Sequence, residues 1–296
     1  MTIEIARYGS ICLDDLPRAD DLDAMGRIYV ASLEKSPELI GAAFEVSLEH
    51  LWARCWIDED VRQPETWLAM VRAVQTGYAL FEMTNGRADI VRCRIDGEIR
   101  TMAAIGPHPA ASVGNWVTAF YLAVVCREWG KVSRLCAIPL DDLRVPGAET
   151  DEFMYVWADA LQYFWTASQG PPTGASPGAE LVERLGAALT ASYPHAAPHT
   201  PPEVLHFILA PAVLLLHKLL FKDDVAFHED LAESLELHQL YWRSNPQSFH
   251  LARSSIALPI LAIACIAQEE SVTIDITSGY LPKHLLAGSW VDEFEL

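Results

Sequence analysis

Basic residues are the scarcest feature of this 296-residue chain: 21 lysines and arginines stand against 40 aspartates and glutamates, a formal net charge of −19 at pH 7. Contacts to phosphate need lysine and arginine, so a surface this acidic repels nucleic-acid backbones and anionic bilayers, and no direct partnership with either is expected. Long apolar runs are also missing. The longest, residues 256–267, has twelve residues and contains Pro259, whereas a membrane span needs about 20; it reads as a buried helix. Residues 1–10 carry Glu4 and Arg7 and no continuous apolar stretch, so no signal peptide is read and the chain is expected to be soluble and cytoplasmic. No glycine-rich phosphate loop follows a strand and no strand–helix–strand rhythm exists, which excludes doubly wound folds and barrels. There is no CxxC pair. The six cysteines are widely spaced, at 12, 55, 93, 126, 136 and 265, and their mostly apolar neighbours point to buried, reduced thiols.

What the chain does have is helical periodicity. About half of it is apolar, enough for one substantial core or two modest ones. Asp20, Asp21 and Asp23 suit the opening of a first helix, since acids complement its free amides and dipole. Pro37 and Pro64 open the next two, the second of which ends at Asn85-Gly86. The period then changes to two: Val91, Cys93 and Ile95 alternate with Arg92, Arg94 and Asp96, and Asp96-Gly97 is a two-residue hairpin signal. A helix from Trp116 to about Cys136 is apolar nearly all round at its start and belongs at the centre of a layered packing. Helices follow over 149–168, 180–192, 203–221 (kinked by Pro211), 223–242 and 255–268 (kinked by Pro259), then an alternating segment, Val272, Ile274 and Ile276, and a last turn over 282–286. The expected fold is mainly α: an array of about ten helices with one small inserted β-hairpin and a short C-terminal extended segment. It reads as one domain, 1–296, and the Gly/Pro-rich loop 169–179 is its only candidate lobe division.

Chemistry-bearing patterns are weak. His195 and His199 have helical spacing, but Pro194 and Pro198 oppose a helix there. No adjacent glutamate there resembles HExxH, and His206 and His217, eleven apart on one helix, read as packed or solvent-facing histidines, so no metal site is assigned. Paired acids at Asp141-Asp142, Asp151-Glu152 and Asp223-Asp224 sit near helix starts, where the helix dipole accounts for them. No GxSxG occurs, no catalytic residue is assigned and no cofactor is expected. The acidity is uneven. Residues 151–296 hold 18 acids and only 6 bases, and one stretch has Asp223, Asp224, Glu229, Asp230, Glu233 and Glu236 with no lysine or arginine among them. A solvated helix face explains this cluster without function; a docking surface for a basic protein explains it with one.

Several segments carry a resemblance. NWVTAFYLAVVCREW at 115–129, DEFMYVWADALQ at 151–162, HQLYW at 238–242, LPILAIACIA at 258–267 and SGYLP at 278–282 resemble, in order, the Imm49 group of immunity proteins of bacterial polymorphic toxin systems. The motif positions are Trp116, Phe120, Tyr121, Arg127, Glu128, Asp151, Glu152, Trp157, Tyr241, Trp242, Tyr280, Leu281 and Pro282. The resemblance implies a mostly helical cytoplasmic protein, without catalysis or cofactor, that binds and neutralises a cognate toxin domain. Many such toxins are nucleases with basic substrate surfaces, which an acidic inhibitor can occupy. The Trp116 and Trp157 neighbours repeat at helical spacing, so these motifs are expected in the core, with toxin contacts on polar surface, chiefly 223–236. A helical scaffold or adaptor, and an enzyme with an all-helical cavity, are the alternative readings.

Overall fold

In the computed structural model, residues 3–9, 15–86, 88–169, 177–244 and 252–291 are described. Cys12 and most of the 169–179 loop therefore lie outside the described residues. Helices α1 (Asp15–Ser32), α2 (Ile40–Ile57) and α3 (Pro64–Asn85) pack in sequence, and α3 leans on α4 (Val113–Val125). Pro64 stands in the first turn of α3 and Gly86 follows its last residue, as the sequence signals require. Gly77 lets α3 come close: a Cβ there would lie 2.8 Å from Phe44 of α2 and 3.3 Å from Ala119 of α4.

The hairpin pairs β2 (Ile90–Ile95) with β3 (Glu98–Ala103) in antiparallel register, Val91 opposite Met102 and Ile95 opposite Glu98. Asp96 and Gly97 both take positive φ, 53° and 78°, the turn whose twist matches the strands. Val91, Cys93, Ile95 and Met102 are buried, and β2 packs on α3. Two isolated strands would be marginal; the helix beneath them supplies the missing apolar contact.

Helix α4 is the centre of the array. Ten of its thirteen residues are buried, and it touches α3, α5 (Trp129–Cys136), α6 (Glu152–Ser168) and α11 (Leu258–Glu269). The expected continuous helix to Cys136 is broken. Arg127 takes φ 57°, its N–H donates to Val124 O and the Glu128 N–H to Ala123 O. These two bonds form a Schellman stop with arginine in the place usually held by glycine. The sequence shows no break because arginine is an ordinary helix former.

The second half continues through α7 (Pro177–Ala191), a single turn α8 (Pro202–Val204), a π-helical turn at Leu205–Leu209, α9 (Ala210–Leu220), α10 (Asp224–Ser244), α11 and α12 (Lys283–Leu286). Because α8 runs through the π turn into α9, the array amounts to about eleven helices among the described residues. The kink expected at Pro211 takes the form of that widened turn, with Ala210 N–H donating to Leu205 O. Proline brings no N–H and its ring crowds the carbonyl four residues back, so the ladder shifts by one. No kink forms at Pro259, which sits in the first turn of α11, where its missing N–H costs nothing. Helix α1 opens at Asp15, ahead of the expected Asp20. The extended segment is shorter than its alternation suggests: β4 is Ile276–Ser278, and it pairs in parallel with β1 (Ile3–Ile5), Ile3 opposite Ile276. That pairing joins segments too far apart in sequence for local pattern to reveal.

Candidate functional site

The acidic stretch 223–236 falls at the start and along the middle of α10. The helix buries Phe227, Leu231, Ser234, Leu235 and His238. Turned away from that face, residues 225, 229, 233, 236 and 240 recur at intervals of three and four and so form one stripe. All five are exposed: Glu229, Glu233 and Glu236 in the middle, with Val225 at 70% and Leu240 at 47% exposure at the ends. No ion pair engages the three glutamates among the described residues. The other acids behave differently. Asp230 is half-buried and stands 3.8 Å from Lys218 Nζ of α9. Asp223 precedes the helix and accepts from the Ala226 N–H, a capping role. Asp224 begins the helix and its carbonyl meets the His228 ring.

Helix α9, which packs on α10, also leaves apolar side chains exposed. Leu214 and Phe221, seven apart along α9 and the turn after it, are 42% and 57% exposed, and His217 packs its ring on Phe221 at 4.8 Å. Two helical stretches, Pro202–Leu220 and Ala252–Glu269, are long and apolar enough by composition to cross a membrane, but they differ in burial: 72% of the second is inside the fold and only 39% of the first. The sequence reading missed this ridge, because an all-round apolar helix looks like core. The available signal was Phe221 and Val225, apolar residues on either side of the charged run Lys222-Asp223-Asp224.

The motif residues lie elsewhere. Trp116, Phe120, Trp157 and Tyr280 are among the most deeply buried side chains, and Tyr121, Leu281 and Pro282 are buried beside them. Trp116 donates Nε1–H to Leu135 O and stacks on Phe120. Trp157 Nε1–H donates to the Tyr121 hydroxyl at 2.7 Å. Burial raises the Tyr121 phenol, opposed by that bond. His238 lies between Tyr280 and Trp242, 4.8 Å and 6.1 Å away, and Tyr241 meets Trp242 edge-on. Burial lowers the His238 imidazole to about 4, so it is neutral at pH 7.

Arg127 and Asp151 are clasps. Arg127 Nη1 donates to Val125 O and Leu285 O, each at 2.8 Å, and Nη2 to Leu286 O at 2.6 Å, so one guanidinium ties α12 to the end of α4. Asp151, before α6, accepts from His199 N–H at 3.1 Å and Thr200 Oγ1 at 2.6 Å. Burial pushes its carboxyl up, but those two bonds hold it below the ordinary aspartate value. Glu128 pairs with Lys131, and Glu152 with Arg144. His199 is thereby tied by its backbone to Asp151, while His195 stacks on Tyr193. Among the described residues no group of three or more His, Cys, Asp or Glu is placed to hold a metal ion. Cys55, Cys93, Cys126 and Cys265 are buried free thiols and Cys136 is a half-buried one. Burial raises the Cys55 thiol to about 12 and the Cys93 and Cys265 thiols to about 11.

The profile of immunity protein 49 matches residues 58–285, more than half of the chain. The chain belongs to the Imm49 family. No curated protein and no solved structure matches it. As an Imm49 member the chain is an immunity protein by family, with the general role of pairing with a toxin partner. Of the thirteen motif positions, the buried aromatics and the two clasps account for the matched fold. None of the thirteen motif positions is among the exposed residues 225, 229, 233, 236 and 240 of α10.

Proposed function

We propose that this Imm49 protein neutralises its cognate toxin domain by occlusion, laying the α9–α10 face over the toxin's active or substrate-binding surface. The observation that carries the reading is the outward stripe of α10, where Glu229, Glu233 and Glu236, without an ion pair among the described residues, stand between two exposed aliphatic side chains. Three uncompensated carboxylates on one rigid helix create a negative field that speeds encounter with a basic surface. The exposed Leu214, Phe221, Val225 and Leu240 supply the desolvated contacts that hold a complex once formed. The complementary partner carries basic groups around an apolar depression, the surface a nuclease offers to a phosphate backbone. Neutralisation by blocking needs no chemistry from the inhibitor and therefore no catalytic group or cofactor. The acidic surface also favours a soluble, cytoplasmic protein.

The test is co-expression with the C-terminal domain of a large secreted protein encoded next to this chain. Growth rescue and co-purification are expected, with an association rate that falls steeply as salt rises. The triple reversal E229K/E233K/E236K should slow association by at least 10-fold while leaving the fold intact. A folded triple variant that associates at the wild-type rate and salt dependence overturns the placement of the site. Toxicity unrelieved by the wild-type protein, with no complex at low salt, overturns neutralisation of that toxin.

A further inference from the structure

Helices α5, α6 and α11 meet around a surface cleft of about 520 Å³. Trp129 opens α5, and Phe164 and Trp165 lie near the end of α6. All three rings line the cleft and are partly exposed, so a ligand can reach them. The two indoles stack with centroids 5.5 Å apart and planes 19° from parallel. A relay fixes them: Trp165 Nε1–H donates to Ser133 Oγ, whose hydroxyl donates to Trp129 O, each at 2.9 Å. The aromatic wall is therefore in place before anything binds. The rest of the lining is negative. Glu269 ends α11 and Glu270 follows it, both exposed. Glu269 is shared with Arg127 at 3.1 Å, while Glu270 has no ion pair among the described residues. Helix α6 ends at Ser168 and α11 at Glu269, so two C-termini, each a partial negative charge, come to the same cleft. Helix α5 begins there, but the acid Glu128 at its N-cap offsets the positive charge of that end. No lysine or arginine is among the described residues that line the cleft. Arg127 is spent on the carbonyls of α12, and Lys131 pairs with Glu128.

Indoles beside an uncompensated carboxylate attract a cation that gives up its water easily. A hard metal ion needs a shell of oxygen ligands, and no group of three or more acids, histidines or cysteines is placed to supply one among the described residues. A quaternary ammonium has no hydrogen to donate to Glu270 or to the hydroxyl oxygens of Ser133 and Ser168, which also line the cleft. A lysine ammonium donates but is strongly hydrated and cannot lie flat on an indole. A guanidinium does both, stacking on aromatic faces and donating through a planar fork. Free arginine would bring its own carboxylate into an acidic cleft, whereas an arginine within a polypeptide would not. We propose that the cleft between α5, α6 and α11 receives an arginine side chain from a partner protein, its guanidinium lying against the Trp129–Trp165 wall and donating to Glu270. This slot is separate from the glutamate stripe of α10 and stands whether or not that stripe meets a toxin.

The test is titration of the purified full-length protein with N-acetyl-arginine amide against sodium chloride at constant ionic strength, following the indole N–H resonances. W165F identifies the Trp165 signal. A saturable shift of that signal is expected, and E270Q, at an exposed position that leaves the fold intact, should weaken binding about 5-fold. N-acetyl-lysine amide should bind more weakly than the arginine compound by a similar factor. The absence of a saturable shift in the wild type, or an equal affinity in E270Q, overturns the proposal. Equal binding of the lysine compound, or tighter binding of tetramethylammonium, overturns the guanidinium assignment. Free arginine binding more tightly than the blocked amide overturns the protein source and makes the cleft a site for the amino acid.

Discussion

Replacing Arg127 by alanine gives the most direct test of how the fold is held. The guanidinium is 7% exposed and donates to three backbone carbonyls, those of Val125, Leu285 and Leu286. A hydrogen bond from a charged donor contributes roughly 1.5–3 kcal/mol. Leu286 is half-buried and water can reach its carbonyl in part, so that bond counts for less. The contact with Glu269, which is half exposed, adds no more than about 1 kcal/mol. The expected loss for R127A is at least about 3 kcal/mol, from two such bonds at the lower figure, a large share of the roughly 5–15 kcal/mol typical of a folded chain. The backbone supplies an internal control. Arg127 sits at φ 57°, where a side chain costs about 1 kcal/mol relative to glycine. R127G loses the same hydrogen bonds but escapes that strain, so it should be about 1 kcal/mol more stable than R127A. R127K, keeping the charge without the planar fork, should fall between R127A and the wild type. Urea unfolding followed by tryptophan fluorescence measures all three. A stability for R127A within about 1 kcal/mol of wild type refutes the clasp, and R127G no better than R127A refutes the backbone strain at this position.

Two further outcomes follow from burial. The His238 imidazole has its folded value lowered by burial from 6.5 to about 4, so below pH 6.5 the unfolded chain takes up a proton that the folded chain refuses; stability is full above that value and should decline by on the order of 2–3 kcal/mol as pH falls towards 4. H238L should flatten that part of the profile, and a wild-type urea midpoint identical at pH 7 and pH 5 would contradict it. Gly77→Ala should cost about 1–3 kcal/mol by overpacking, since the added methyl lands 2.8 Å from the Phe44 ring; an unchanged thermal midpoint would show that α2 and α3 can move apart freely.

The parts of the fold that sequence reveals are those settled by local chemistry. Pro64 begins α3 because the first turn needs no N–H, and Asp96-Gly97 turns the hairpin because both positions require positive φ. The centrality of α4 follows from an apolar surface with no polar side to give to water. What is not legible depends on partners remote in the chain. The stop at Arg127 is stabilised by carbonyls of α12, more than 150 positions away. β1 finds β4 across nearly the whole chain. Pro259 proves harmless because α11 begins just before it, a boundary set by tertiary packing. The candidate docking face divides in the same way. Its glutamates stand out as a run of charge, but the Leu214–Phe221 ridge appears only when the structure shows which side of α9 is left uncovered. Asp230 drops out for the converse reason, since Lys218 reaches it from the neighbouring helix.

The separation of motif from surface has a measurable consequence. Trp157 and Tyr121 are buried and bonded to each other, whereas Glu229, Glu233 and Glu236 are exposed on α10. W157F removes the donor and leaves a buried phenol without its partner, which costs about 1–3 kcal/mol. It moves no surface charge, so the rate of toxin association and its salt slope should stay at the wild-type values while the urea midpoint falls. The triple glutamate reversal should do the opposite: leave the urea midpoint nearly unchanged, because exposed unpaired acids contribute little to stability, and alter both the rate and the slope. A motif that acted in recognition would couple the two readouts, so that W157F slowed association at a temperature where the variant remains folded. Measuring both quantities on both variants therefore separates a fold signature from a binding site, which sequence resemblance alone cannot do.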